Sequence, residues 1–146
     1  MMLSFIKKIL GSIHHGKRPD DSKRSPDWHR AEVAHKKIQP RCQFCGRLDH
    51  NDVHHIESFE KNPARELDPS NHWTLCRPPG TVYHSDHFVK GHEPHGAEHP
   101  NWKTFNPEVV ADCLKHQEEL GVDWTGGHTP GFKKRSDGKG WERILS

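Results

Sequence analysis

The sequence predicts a small α+β unit in which two antiparallel strands and a helix gather around a metal ion. Apolar material is scarce: 30% of the 146 residues are hydrophobic and the mean hydropathy is -1.03. That is too little to fill a core along the whole length, so a compact centre with flexible ends is expected. A core of that size usually needs a staple such as a metal or disulfides. The second observation is histidine, 15 residues in all, nine of them between His50 and His99. Cys42, Cys45 and Cys76 lie in or beside this stretch, and histidine is the commonest metal ligand. The third is the order of local signals: a helix, a Cys-x-x-Cys knuckle, a strand, a long loop, a strand and two helices.

Each element has its own warrant. Residues 1–24 form a tail with Lys7, Lys8, Lys17, Arg18, Lys23 and Arg24 against Asp20 and Asp21. Such a basic tail binds nucleic acid or is merely solvated. Leu3, Ile6, Ile9, Leu10 and Ile13 have helical spacing. Lys7 and Lys8 interrupt them, no cleavage site follows, and the run is too short to span a bilayer. The expectation is an amphipathic helix resting on the domain or a partner, with membrane-surface contact the lesser alternative. Residues 25–120 form the domain. Pro26, Asp27 and Trp28 open a helix with Trp28, Ala31, Ala34, His35 and Ile38 on one face, and Pro40 ends it. Gly46 lets the chain turn tightly after Cys45. Val53 to Ile56 and Trp73 to Cys76 are strand signals separated by a polar loop, Glu57 to Asn71. Val82 to Lys90 reads as a helix stopped by Gly91. Asn106 caps a last helix with Pro107 at its first position. Its core face carries Val109, Val110, Cys113, Leu114, Gln117 and Leu120, and Gly121 ends it. Residues 121–146, rich in glycine and holding Lys133, Lys134 and Arg135, read as a flexible basic tail.

Cys42 and Cys45 stand two residues apart, which suits a metal or redox site better than a structural disulfide. No βαβ context surrounds them, so a metal is the expectation, with Cys76 the natural third thiolate. Structural zinc takes four ligands, and the fourth is open among His84, Asp86 and His87. Cys113, on an apolar helical face, reads as a buried small thiol. Unbridged cysteines and the absence of a secretory signal point to a reducing compartment, the cytoplasm.

The adjacent pair His54 and His55 is the other chemical signal. Neighbours on a strand point to opposite faces, so the two rings cannot duplicate one role. One can bind a divalent ion while the other, held neutral, takes a proton from water; together they can hydrolyse a phosphodiester.

The order and spacing of these pieces resemble the HNH endonuclease family, with its ββα-metal fold. The resemblance rests on Cys42-x-x-Cys45-Gly46, on Asp52-Val53-His54-His55-Ile56, on Glu66 through Asn71 to Cys76, and on His87 to His92. Ser25 to Trp28, and the later Asn101, Trp102, Asn106 and Pro107, look like a phage-type subgroup. It covers roughly residues 25–115. It implies that His54 and His87 hold the catalytic ion (Mg²⁺, Mn²⁺, Zn²⁺ or Ni²⁺), with His92 or His84 as a third ligand. It implies that His55 is the general base and that Asn71 braces the loop that orients it. Products with 3′-hydroxyl and 5′-phosphate ends are implied too. One departure is that Asp86 stands where that subgroup usually has a cysteine.

The implied partner is DNA, in a bacterial or phage-infected cell, with phage packaging or other nucleic-acid-processing proteins as possible associates. Arg41, Arg47, Lys61, Arg65, Arg77, Lys90, Lys103 and the tails are candidate phosphate contacts. With a net charge of +2 there is no global basic field, and low sequence specificity is expected. Trp28, Trp73 and Trp102 read as core rather than stacking platforms. The rivals are a zinc-stapled nucleic-acid-binding module without activity and a metal-storage or metal-sensing protein.

Overall fold

The computed structural model describes residues 24–79, 86–92 and 105–145. The amphipathic segment, His84, Asn101, Trp102, Lys103 and the first part of the expected helix Val82–Lys90 lie outside the described residues. The rest is a small mixed α/β structure with two two-stranded antiparallel sheets. Among the described residues no helix is long and apolar enough to cross a membrane.

The first helix, α1, spans Trp28–Ile38, and Pro40 prevents it from continuing. After the knuckle, β1 (Asn51–His55) pairs antiparallel with β2 (His72–Cys76), setting His54 opposite Trp73 and His55 opposite His72. Every residue of β2 is buried, because both faces of the hairpin are covered. The intervening loop is ordered by two 3-10 turns, Pro63–Arg65 and Pro69–Asn71, each opened by a proline. The last helix, α2, spans Val109–Leu120 and ends at Gly121 with φ 72°, where only glycine turns left-handed without strain. Asn106 is not the N-cap expected of it: the helix starts at Val109 with Glu108 at the N-cap, and Asn106 Oδ1 instead accepts the Glu108 N–H at 2.9 Å one turn earlier. The core gathers Trp73, Leu75, Val109, Val110, Cys113 and Leu114 with Cys42 and Cys76. Cys113 is the buried thiol its helical position predicts.

Leu120 and Ile38, expected on the packed faces of their helices, are exposed, and two larger expectations change. Gly91 does not stop a helix. His87–His92 is a π turn that runs through it, and a Cβ on Gly91 would sit 2.9 Å from His54 Cε1. The glycine is there so that the turn can lie against the His54 ring. Nor do residues 121–145 form an open tail: β3 (Phe132–Lys134) pairs with β4 (Trp141–Arg143) in a second hairpin. Phe132 and Trp141 pack on the core, and Gln39 Nε2 donates to the carbonyls of Thr125 and His128 at 2.9 and 3.0 Å. Apolar anchors at Trp124, Phe132 and Trp141 outweigh the local glycine content.

The α1 face brings His35 edge-on to His72 and His128, with ring centroids 5.7 and 4.9 Å away. Burial, then the charges of His128 and His72, pull His35 down from 6.5 to about 4. The unfolded chain therefore takes a proton that the folded ring refuses. Stability from this group is full above pH 6.5 and falls away as the pH drops towards 4. At about 1.4 kcal/mol per unit the loss is about 3 kcal/mol. Chemical denaturation of wild type and His35→Gln across that range should show a flatter profile for the variant; parallel profiles would contradict this.

Candidate metal centres

β1 sends His54 and His55 to opposite sides, as a strand must. On one side His54 meets His87 and His92 from the π turn, with ring centroids 5.0 and 4.8 Å away. Bonding from i to i+5 is what sets residues five apart on one face; in an ordinary α-helix His87 and His92 would diverge. The His87 and His92 Nε2 atoms are 3.2 Å apart, and one nitrogen from each of the three rings lies within 4.8 Å of the others. His54 is fully buried, and neither of its ring nitrogens has a hydrogen-bond partner. Burial, then the charges of His92 and His87, hold it well below its ordinary pKa and keep it neutral. A buried imidazole without a partner costs free energy, and coordination to an ion would relieve it. The three rings therefore fit a divalent cation.

Asp52, two residues before His54, completes this side. It accepts from His87 Nδ1 at 2.9 Å and pairs with Arg77. Burial opposes its ionisation, but the bonds from His87 and Arg77 outweigh that and hold its carboxyl well below the usual range. Since a carboxylate can only accept, His87 carries a proton on Nδ1 and turns its Nε2 towards His92 and the centre.

On the other side His55 Nε2 lies 3.0 Å from the Glu66 carbonyl, which also takes His72 Nε2 at 2.7 Å. A carbonyl only accepts, so neutral His55 is protonated at Nε2 and free of a proton at Nδ1. That nitrogen lies 3.4 Å from Arg24 Nη1, and the Trp28 ring is 4.4 Å from the imidazole. Burial, then the Arg24 charge, push His55 down to about 3. Asn71, buried, clasps the loop beneath: its Nδ2 donates to the carbonyls of Glu57 and Arg65 at 3.0 and 3.1 Å, and its Oδ1 accepts the Glu57 N–H at 2.7 Å. The bonded Arg65 carbonyl immediately precedes Glu66, so the amide fixes the carbonyl that orients His55.

The second centre is Cys42, Cys45, Cys76 and Asp86, whose ligand atoms also lie within 4.8 Å of one another. Asp86 Oδ2 lies 3.2 Å from Cys42 Sγ and 3.3 Å from Cys76 Sγ. The knuckle is closed by Gly46 N–H to Cys42 O at 2.8 Å, with Gly46 at φ 80°. Interaction with Cys42 lowers Cys76 to about 7, while Cys42 is raised by Cys76, by burial and by Asp86. Three sulfurs and one carboxylate make a four-donor group that could hold a metal ion.

No family model, curated protein or solved structure matches the chain.

The expected site residues thus divide into two groups. Among candidate fourth ligands the structure brings Asp86 to the thiols; His87 goes to the histidine centre, and His92 joins it as the third ring. Arg24, Asp52 and Glu66 were given no site role from the sequence, where they figured only in the basic tail and in the motif segments. The spacing of Asp52 on the His54 face of β1 was the available signal. Most candidate phosphate contacts are engaged internally: Arg65 with Glu57 and Asp68, Arg77 with Asp52, Arg47 with Asp49, and Arg41 with the Gly46 carbonyl. Lys90 sits over the Phe44 ring at 4.3 Å. Lys61 and Arg65 line a cavity of about 560 Å³ with Ile56, Phe105 and Pro107. Phe105 also stacks on His54 at 5.5 Å, so the cavity borders the histidine centre.

Proposed function

We propose that the chain is an HNH-type endonuclease that hydrolyses DNA phosphodiester bonds. β1, β2 and the turn His87–His92 are its ββα-metal unit. The observation that carries this reading is the division of labour across β1: a buried, unpartnered His54 beside two further rings on one side, and His55 held by a carbonyl on the other.

His54, His87 and His92 would hold the catalytic ion, and Asp52 would fix the His87 ring. A divalent ion there supplies Lewis-acid stabilisation of the phosphate and the leaving oxygen, and imidazole ligands favour the later transition metals. His55 takes the proton of the attacking water at Nδ1. Asn71 holds the Glu66 carbonyl and through it the ring. Arg24, beside Nδ1, draws the phosphate; neutralised by the anion, its charge adds less to the depression of His55, whose larger cause is burial. The cavity edged by Lys61 and Arg65 takes backbone next to the scissile bond. Cys42, Cys45, Cys76 and Asp86 would hold a structural zinc ion.

The rival is a zinc-stapled binding module of the same fold. The depressed basicity of His55 is the observation in its favour. Plasmid nicking in a panel of Mg²⁺, Mn²⁺, Zn²⁺ and Ni²⁺ separates them. The nuclease gives nicks with at least one ion and none after EDTA; DNA binding without nicking under all four ions assigns the module.

A further inference from the structure

The two centres are joined through neighbouring residues, twice. Asp86, the oxygen donor of the thiol centre, immediately precedes His87 of the histidine centre. Cys76 immediately precedes Arg77, whose guanidinium pairs with Asp52, and Asp52 accepts from His87 Nδ1 at 2.9 Å. Both routes end on the same imidazole, and both begin at a thiol-centre ligand. His87 and His92 ride on one turn of six residues, and a turn this short has little stability of its own. Its position against β1 must come from what holds its ends. Asn106 Nδ2 bonds the Lys90 carbonyl near the far end at 3.0 Å, and Asp86 stands at the near end.

We infer that Asp86 and Arg77 are positioning residues for the histidine centre, and that Asp86, once bound to an ion with Cys42, Cys45 and Cys76, anchors the turn that presents His87 and His92. An ion at the thiol centre draws the Asp86 carboxylate towards the three sulfurs. Without that ion the same carboxylate is held by thiol hydrogen bonds from Cys42 and Cys76 at 3.2 and 3.3 Å, a weaker hold than coordination to a cation. The ion thereby tightens the hold on the turn at the residue that precedes it. Linkage makes the effect mutual: each ion raises the affinity for the other by one factor, about 5- to 150-fold in coupled systems of this kind. The inference rests on the two ion sites of the proposed function but not on cleavage.

The test keeps the thiol centre filled so that folding is not the variable. Full-length protein is loaded with one equivalent of Cd²⁺, followed by its thiolate charge-transfer absorbance. Mn²⁺, a poor thiolate partner, is then titrated and its binding read by loss of the free-ion EPR signal. Asp86→Ala should keep the Cd²⁺ absorbance and weaken Mn²⁺ binding about 5- to 150-fold. Asp86→Cys, which restores a charged ligand at the same place, should recover Mn²⁺ binding and strengthen the charge-transfer band. Arg77→Gln should weaken Mn²⁺ binding with the Cd²⁺ signal unchanged, and it carries the test if Asp86→Ala does not fold. Wild-type Mn²⁺ affinity in Cd²⁺-loaded Asp86→Ala, or in Arg77→Gln should the former fail to fold, overturns the inference. The nicking assay is independent: coupling without nicking leaves the inference standing, and nicking without coupling removes only the inference.

Discussion

Replacing His55 by alanine is expected to lower metal-dependent nicking about 100- to 10,000-fold, the range removed with a general base. The bound ion should stay in place. His55 belongs to neither donor cluster, and its Nε2 is committed to the Glu66 carbonyl. That carbonyl keeps a second donor in His72 Nε2, so the loop does not lose its only anchor when the ring is removed. His54→Ala is the contrasting case. It deletes a ring from the ion centre and should lose activity and ion together, because two of three imidazoles remain. Metal analysis of the purified proteins beside the nicking assay gives the comparison. Undiminished cleavage by His55→Ala would remove the base assignment, and equal ion loss in both variants would merge the two roles.

The separation of those roles was legible because a strand has period two and the two histidines are adjacent. The hairpin was legible too: β-branched and aromatic residues at Val53 and Trp73 mark it, and the prolines at 63 and 69 mark its loop. The Cys42, Cys45 and Cys76 grouping followed from spacing. His92 was harder, since five residues is not a helical repeat and Gly91 reads as a stop. Only the i to i+5 turn, made close by that glycine's missing Cβ, puts the ring beside His87. Arg24 and Glu66 were hidden for another reason. Their part depends on the Arg24 guanidinium meeting the Glu66 carboxylate across 42 positions of sequence, which no local pattern records. The second hairpin was missed because its strands are three residues each, too short to show alternation, and are embedded among glycines. The cluster of His35, His72 and His128 likewise joins three separate segments.

The largest stability effect is expected from Cys42→Ser. Cys42 is fully buried and belongs both to the thiol centre and to the hydrophobic core. Its N–H bonds the Arg47 carbonyl at 2.9 Å, and the next residue, Gln43, donates its N–H to Thr74 O at 2.9 Å. The knuckle is thus tied to β2 at the point where the ion would be held. Structural zinc in small domains contributes about 10–16 kcal/mol of apparent binding free energy, much of it folding free energy. A whole domain has only about 5–15 kcal/mol in reserve. Loss of one thiolate from a set of three sulfurs and a carboxylate is therefore expected to abolish cooperative unfolding near room temperature. Cys113→Ser makes the same chemical change at another fully buried sulfur, one outside both donor clusters. There the cost is that of a buried hydroxyl, about 1–3 kcal/mol, and a lowered but intact melting transition should remain. Circular dichroism melts of both variants with zinc and with a chelator test the difference. If the chelator removes the cooperative transition of both wild type and Cys113→Ser, as the substitution does in Cys42→Ser, the ion is the staple. If the two serine variants melt alike and the chelator moves neither wild type nor Cys113→Ser, Cys42 acts only by packing, and the scarcity of apolar residues must be compensated elsewhere in the core.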